Sequence, residues 1–292
     1  MTLRWSLLAN LRSRPGVRTI VALARLFLAR ALLGGSLFVL ACGARTPEPR
    51  PVPVVHVAPS TSPASRLDER QEIEDLVAGA ERAWLERHDV ETELADWAPD
   101  AVQTSARSRV PGPYDVQLTR AQVASIRPIV AEREPLHRVT LTQVRVEING
   151  DVATLQCKLT TEHADAIDTF GNVFTLRRNG GSWQISHKRY WPLGRSTPSE
   201  SAQFPEGWYE DGDTEVESLR KLGDNRQLAW TLFGVYRFRE ALEVSRALTA
   251  EPDALPWDWE MRGTSALMLG LADEAKLSYE RKRELESSID LP

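Results

Sequence analysis

Val139-Thr-Leu-Thr-Gln-Val-Arg-Val-Glu-Ile148 runs into Asn149-Gly150-Asp151, and Val152-Ala-Thr-Leu-Gln-Cys-Lys-Leu159 leads out of it. Short β-rich, alternating runs on either side of an Asn-Gly pair are the strongest short-range signal for a hairpin, because a two-residue turn needs residues that tolerate positive φ. Two further runs, Val173 to Leu176 and Trp183/Ile185, flank Asn179-Gly180-Gly181, a second tight turn. The stretch reads as an antiparallel meander.

Upstream the period changes. Ile73, Leu76, Val77, Ala80, Ala83 and Trp84 recur at helical spacing from Leu67 onward, with acids and arginines on the opposite face. Thr119 and Gln122 can form a capping box for a shorter helix, which Pro128 should stop near Arg127. Helices followed by a meander predict an α+β domain over 67–192, its long helix lying on a curved antiparallel sheet.

Downstream, residues 193–212 are rich in Ser, Pro and Gly and read as a linker, with Phe204, Trp208 and Tyr209 able to pack on a domain. Residues 213–290 are helical in pattern and repeat with a period of 34: Tyr236 falls on Gly270, Phe238 on Ala272, Glu240 on Glu274 and Ala241 on Ala275. The period and the run Trp259, Gly263, Leu269-Gly270, Ala272, Ala275, Tyr279 resemble the tetratricopeptide motif, which implies a small all-α helical-repeat domain. Two units fall short of the roughly three a free-standing array needs. Helix 213–222, the preceding domain or another protein must therefore cap them. The repeats read either as a groove for a protein partner, with Trp257 and Trp259 as anchors, or as hairpins completing the fold.

The 292 residues carry a net charge of −5, and residues 1–41 hold six arginines and no acid. Removing those six positive charges leaves −11 on residues 42–292, which argues against nucleic acid as a partner. The apolar run Ala31 to Ala41 is too short to span a bilayer and suits a secretory signal. Val39-Leu40-Ala41-Cys42 resembles a bacterial lipobox, which implies removal of residues 1–41 and lipidation of Cys42. An ordinary signal peptide with a chance cysteine is the alternative. Two or three acyl chains would fix the protein to the cell envelope essentially permanently. Gly43 in place of an aspartate favours the outer membrane over the inner. Prolines 47, 49, 51, 53, 59 and 63 make 42–66 an extended tether.

Four segments of 67–192 together resemble the nuclear transport factor two-like superfamily, in particular its SnoaL-like members: Trp84 with Asp89; Trp97-Ala98-Pro99-Asp100-Ala101-Val102; Asn149-Gly150-Asp151-Val152-Ala153; and Gly180-Gly181-Ser182-Trp183-Gln184-Ile185-Ser186-His187. The resemblance implies a cone of helices against a bent sheet, whose mouth often takes a small apolar ligand, in enzymes and in binding modules alike.

Strand alternation puts Trp183, Ile185, His187 and Arg189 on one face, and Gln184, Ser186, Lys188 and Tyr190 on the other. If the first set faces the cone, it joins Trp84 as ligand-binding residues. His187 becomes a candidate base, oriented by Asp100 or Asp165. The plainer reading is a half-buried histidine at the rim. The acid and tyrosine that isomerase relatives use cannot be mapped onto Asp168 and Tyr114. His163-Ala-Asp165-Ala-Ile-Asp168 reads as a surface loop and not a metal site, since no second cluster completes a shell. His88 and His137 read as a helix end and a strand start, and Cys157 as a core residue. No phosphate loop or nucleophile elbow occurs, and no cofactor is expected. Two functions stand: a non-catalytic envelope module binding a ligand or protein, or a small-molecule isomerase, hydratase or cyclase using His187.

Overall fold

A computed structural model describes residues 63–163, 166–197, 200–203 and 208–289. The expectations for the signal segment, Cys42 and the tether as far as residue 62 lie outside the described residues. From Leu67 onward the chain is one compact unit.

Helix α1 (Pro63–Arg87) buries Ile73, Val77, Ala80, Ala83 and Trp84. It ends at His88, whose positive φ lets its N–H bond back to the Trp84 carbonyl. Asp89 then caps α2 (Val90–Ala95) through the Thr92 N–H. Strands β1 (Trp97–Ser105) and β2 (Val116–Thr119) precede α3 (Arg120–Ala131), which opens on the expected Thr119/Gln122 capping box. It does not stop at Pro128, which lies inside the helix. Burial of Val123, Ile126 and Arg127 on one helical face outweighs the local preference against helix before proline.

The meander follows as β3 (Arg138–Asn149), β4 (Val152–His163), β5 (Ala166–Asn179) and β6 (Ser182–Thr197), turning through Gly150 and through Gly180 and Gly181, all at positive φ. The sheet order is β2-β1-β6-β5-β4-β3. The sheet is mixed, not antiparallel throughout as expected, because β1 joins β6 in parallel across a register shift between Trp97 and Val102. Pro99 and Asp100 sit in that irregularity, where the missing proline N–H interrupts no ladder.

The expected linker is largely structured. β6 continues to Thr197 and pairs with β7 (Glu200–Gln203), and α4 (Trp208–Leu222) begins four residues before Gly212. Beyond it lie α5 (Asn225–Gly234), α6 (Phe238–Ala250), α7 (Pro256–Met268) and α8 (Ala272–Ile289). The period of 34 is written into the backbone. In the α5–α6 turn Arg237 N–H bonds Leu232 O and Tyr236 N–H bonds Phe233 O; in the α7–α8 turn Leu271 bonds Ala266 and Gly270 bonds Leu267. Tyr236 and Gly270 hold the same left-handed position, φ 64° and 72°.

The helices are not a separate domain, because one buried apolar cluster runs from α1 and the sheet into α4–α8. At one end of the pair of hairpins α4 packs on α5, and on the sheet domain α3 packs on α8. The Arg133 guanidinium lies 3.5 Å over the Tyr279 ring and bonds Glu260 at 2.6 Å. The α7–α8 turn presses so closely on the sheet domain that a Cβ on Gly270 would stand 2.9 Å from Leu118 Cδ2. Capping of this short array comes from its own chain. Among the described residues no helix is long and apolar enough to cross a membrane.

Candidate binding site in the concave face

The bulge in β6 decides which side chains enter the cone. Ile185 faces Leu176 and His187 faces Thr175, so Ser186 is an extra residue and the alternation reverses there. Trp183 and Ile185 point into the core, and beyond the bulge Lys188 and Tyr190 do. His187 and Arg189 are on the opposite face, which corrects the expectation that His187 lines the cone. His187 Nε2 instead lies 2.7 Å from Thr104 Oγ1, and burial lowers its pKa. Arg189 is spent on the loop before β2, bonding Asp115 at 2.7 Å and the carbonyls of Ser108, Arg109 and Val110. Asp100 is exposed and pairs with Arg177, so it does not orient His187. Asp165 lies outside the described residues.

Cross-strand register arranges the concave face in rows. Deepest are Gln103 beside Lys188 and Ser105 beside Tyr190, with Cys157, Asn172 and Phe174 on the neighbouring strands. The helices add Glu81 and Trp84 from α1, Glu93 from α2 and Arg127 from α3. Lys188 Nζ meets Glu81 Oε1 at 2.5 Å. Arg127 grips Glu93 through both carboxylate oxygens, Nε to Oε2 at 2.9 Å, and stacks 4.1 Å over the Trp84 ring. Burial pushes the Glu93 carboxyl up and Arg127 opposes it. Burial also raises the Tyr190 phenol and takes the Cys157 thiol to about 12. Each ionised group here has its counter-charge inside the protein, which is the condition for keeping charges in a core.

Beyond this polar band lies an apolar belt of Val139, Leu159 and Phe170, covered by Leu85 and Leu141 and forming a cluster apart from the main core. Beyond the belt Thr161, Asp168 and Arg195 stand in register, and the His137 and His163 rings meet edge to face at 5.2 Å. The segment expected as a surface loop is thus the end of β4 and the start of β5, with Asp168 only 2% exposed. His88 and His137 adjoin α1 and β3. Among the described residues no three His, Cys, Asp or Glu side chains come together as metal ligands.

Burial lowers the pKa of His137 to about 4, against about 6.5 in an unfolded chain. The unfolded form therefore takes up a proton that the native form refuses, and stability falls as pH drops from about 6.5 toward 4. Between pH 7 and 5 this imidazole should remove about 1–2 kcal/mol. Urea titrations of the wild type and His137→Asn at both pH values check it: the variant should lose correspondingly less, and equal losses would remove His137 as the source.

On the helices, Trp257 is 43% exposed, with Lys282 Nζ 5.9 Å from its ring, and Trp259 is half-buried beside Arg262. Asp258 between them is buried, accepting from the Leu255 N–H at 2.8 Å and from Arg226.

No curated protein matches the chain. Among solved structures, an NTF2-like protein of unknown function from Pseudomonas putida matches at 18% identity and TM-score 0.37, over 50% of this chain and 98% of its own. Two others carry provisional enzyme names. One is an aromatic ring hydroxylase from Novosphingobium aromaticivorans (19%, TM-score 0.38, 45% of this chain and 94% of its own). The other is a dehydratase of the NTF2-like family from Streptomyces avermitilis (18%, TM-score 0.36, 44% and 98%). At these values neither activity transfers to this chain. The model of the SnoaL-like domain matches residues 76–190, from the middle of α1 to Tyr190. This part of the chain is a SnoaL-like domain.

Proposed function

We propose that this protein is a lipid-anchored module of the bacterial envelope that binds a small ligand in its cone and a protein on its helices, without chemistry. The observation that carries the non-catalytic reading is the mutual neutralisation of the deep charges: Lys188 is held by Glu81 and Arg127 by Glu93. A general base must be free to exchange protons near neutral pH, and these groups are committed to one another. The isomerase reading through His187 loses its geometry, since that ring faces away from the cone.

Anchoring rests on Ala41-Cys42 and on the arginine-rich apolar segment before it. Gly43 favours the outer membrane. A proteinaceous partner would meet Trp257, which offers an aromatic surface large enough to anchor a contact. Feeding cells a palmitate analogue should label the wild type and leave Cys42→Ala unlabelled. Label that persists in the variant would end the anchoring proposal.

A further inference from the structure

The outer face of the sheet, turned away from the cone, is open over β3, β4 and β5. Every described outward side chain there, from Arg138 to Arg177, keeps some exposure, and only Gly171 is buried. Trp191 of β6 covers it. A Cβ on Gly171 would collide with Cε2, Cζ2 and Nε1 of the Trp191 ring, so the indole lies flat on the β5 backbone and needs a glycine beneath it. One face of the half-buried ring is against the sheet, which turns the other outward. Register supplies the surroundings. Lys158 pairs with Gly171 from the β4 side and so stands at the far edge of the ring. Thr160 and Thr169 form the next row on one side. On the other, Gln156 pairs with Val173 and with Arg145, which sets Arg145 diagonally from Lys158 at about 7–8 Å. Neither cation has a carboxylate partner among the described residues. The acids of this part of the face are Glu147, opposite Thr154, and Glu162, opposite Arg138.

The chemistry of these rows selects the ligand. Two unpaired cations in a chain that is acidic overall favour a local anion, while the net charge repels a long polyanion such as nucleic acid. Val173 is the only other apolar side chain in the three rows, too little for the apolar centre of a protein interface. A flat aromatic face ringed by hydroxyls suits a pyranose, which carries polarised C–H groups on one face and hydroxyls around its edge. We infer that the outer face binds a saccharide bearing a carboxylate. Its C–H face stacks on Trp191, its hydroxyls bond Thr160 and Thr169, and its carboxylate lies between Lys158 and Arg145. The site is on the opposite side of the sheet from the cone and does not depend on what the cone or the helices bind.

The test titrates the full chain with trigalacturonate, its methyl ester and glutarate by calorimetry, and follows the Trp191 indole N–H by NMR, assigned through Trp191→Phe. Trigalacturonate should bind about fivefold or more tighter than the ester, which keeps the sugar and loses the charge, and should shift the indole signal. Lys158→Gln should remove most of that difference while leaving the affinity for the ester in place. Trp191→Ala should weaken acid and ester alike, by about tenfold. If that variant does not fold, Lys158→Gln and the wild-type comparison still decide. Equal binding of acid and ester, glutarate binding as tightly as the trisaccharide, or an indole signal that stays put at saturation would overturn the inference. So would sedimentation of the protein as a dimer whose Trp191 signal moves on dilution, since a second copy would then cover this face.

Discussion

Lys188→Met should destabilise the protein by about 3–5 kcal/mol, the usual penalty for stranding one member of a buried ion pair. The lysine side chain is 8% exposed and that of Glu81 3%. Without the ammonium, which lies over the Phe174 and Tyr190 rings, Glu81 is left as a buried charge with no partner. The double variant Glu81→Leu/Lys188→Met removes both charges and should recover most of the loss, because the pair's attraction roughly offsets its desolvation. Urea unfolding of the three proteins supplies the comparison. A single variant as stable as wild type, or a double variant no better than the single, would show that the two charges are not coupled as described.

That pair also marks where the sequence stops being legible. Glu81 follows Ala80 at the position of α1 where Ile73 and Val77 set the stride of four, so a carboxylate on the apolar stripe was visible. Its partner was not. Counting by twos along β6 from Trp183 assigns His187 to the cone and Lys188 to the outside, and one extra residue at Ser186 inverts both assignments. Bulges are set by the tertiary curvature of a sheet and leave no mark in local composition. The hairpins were legible because their turns need positive φ, supplied at Gly150 and at Gly180 and Gly181, and the repeat because the same turn recurs at Tyr236 and Gly270. The parallel union of β1 with β6 was hidden for the opposite reason: strands adjacent in space are separated by more than 70 residues in sequence, and nothing local encodes the pairing. The rim residues were partly visible. His163 and Asp168 drew notice as potential ligands, but treating them as a loop severed them from Thr161 and Arg195, which only the register brings alongside.

The continuity of the core into the helices leads to the second large effect. Arg107, just past β1, sends Nε to the Val235 carbonyl at 2.5 Å, closes on Asp213 through two bonds of 2.7 and 3.0 Å, and stacks 4.0 Å over Tyr114 and 5.1 Å over Tyr209. One guanidinium thereby joins the loop before β2, the start of α4 and the end of α5. Its planar fork serves all three, which a lysine could not do. Asp213, held low in pKa by Arg107 and Arg237 against its burial, keeps Arg237 at 3.5 Å when Arg107 is removed, so the stranded charge is only partly exposed to penalty. Arg107→Ala should therefore cost about 2–4 kcal/mol, with Arg107→Lys recovering less than half. The loss should be uneven. Amide exchange should quicken through α4 and α5, which that side chain ties to the loop before β2 through Asp213 and the Val235 carbonyl, while β4 and β5 keep their protection, because their pairing does not pass through it. Uniform acceleration across the sheet and helices would mean that the whole unit unfolds in one step and that Arg107 merely adds to its stability. Exchange unchanged in α4 and α5 would mean that the apolar contacts of Val216, Leu219 and Leu232 hold the helices to the sheet domain without it.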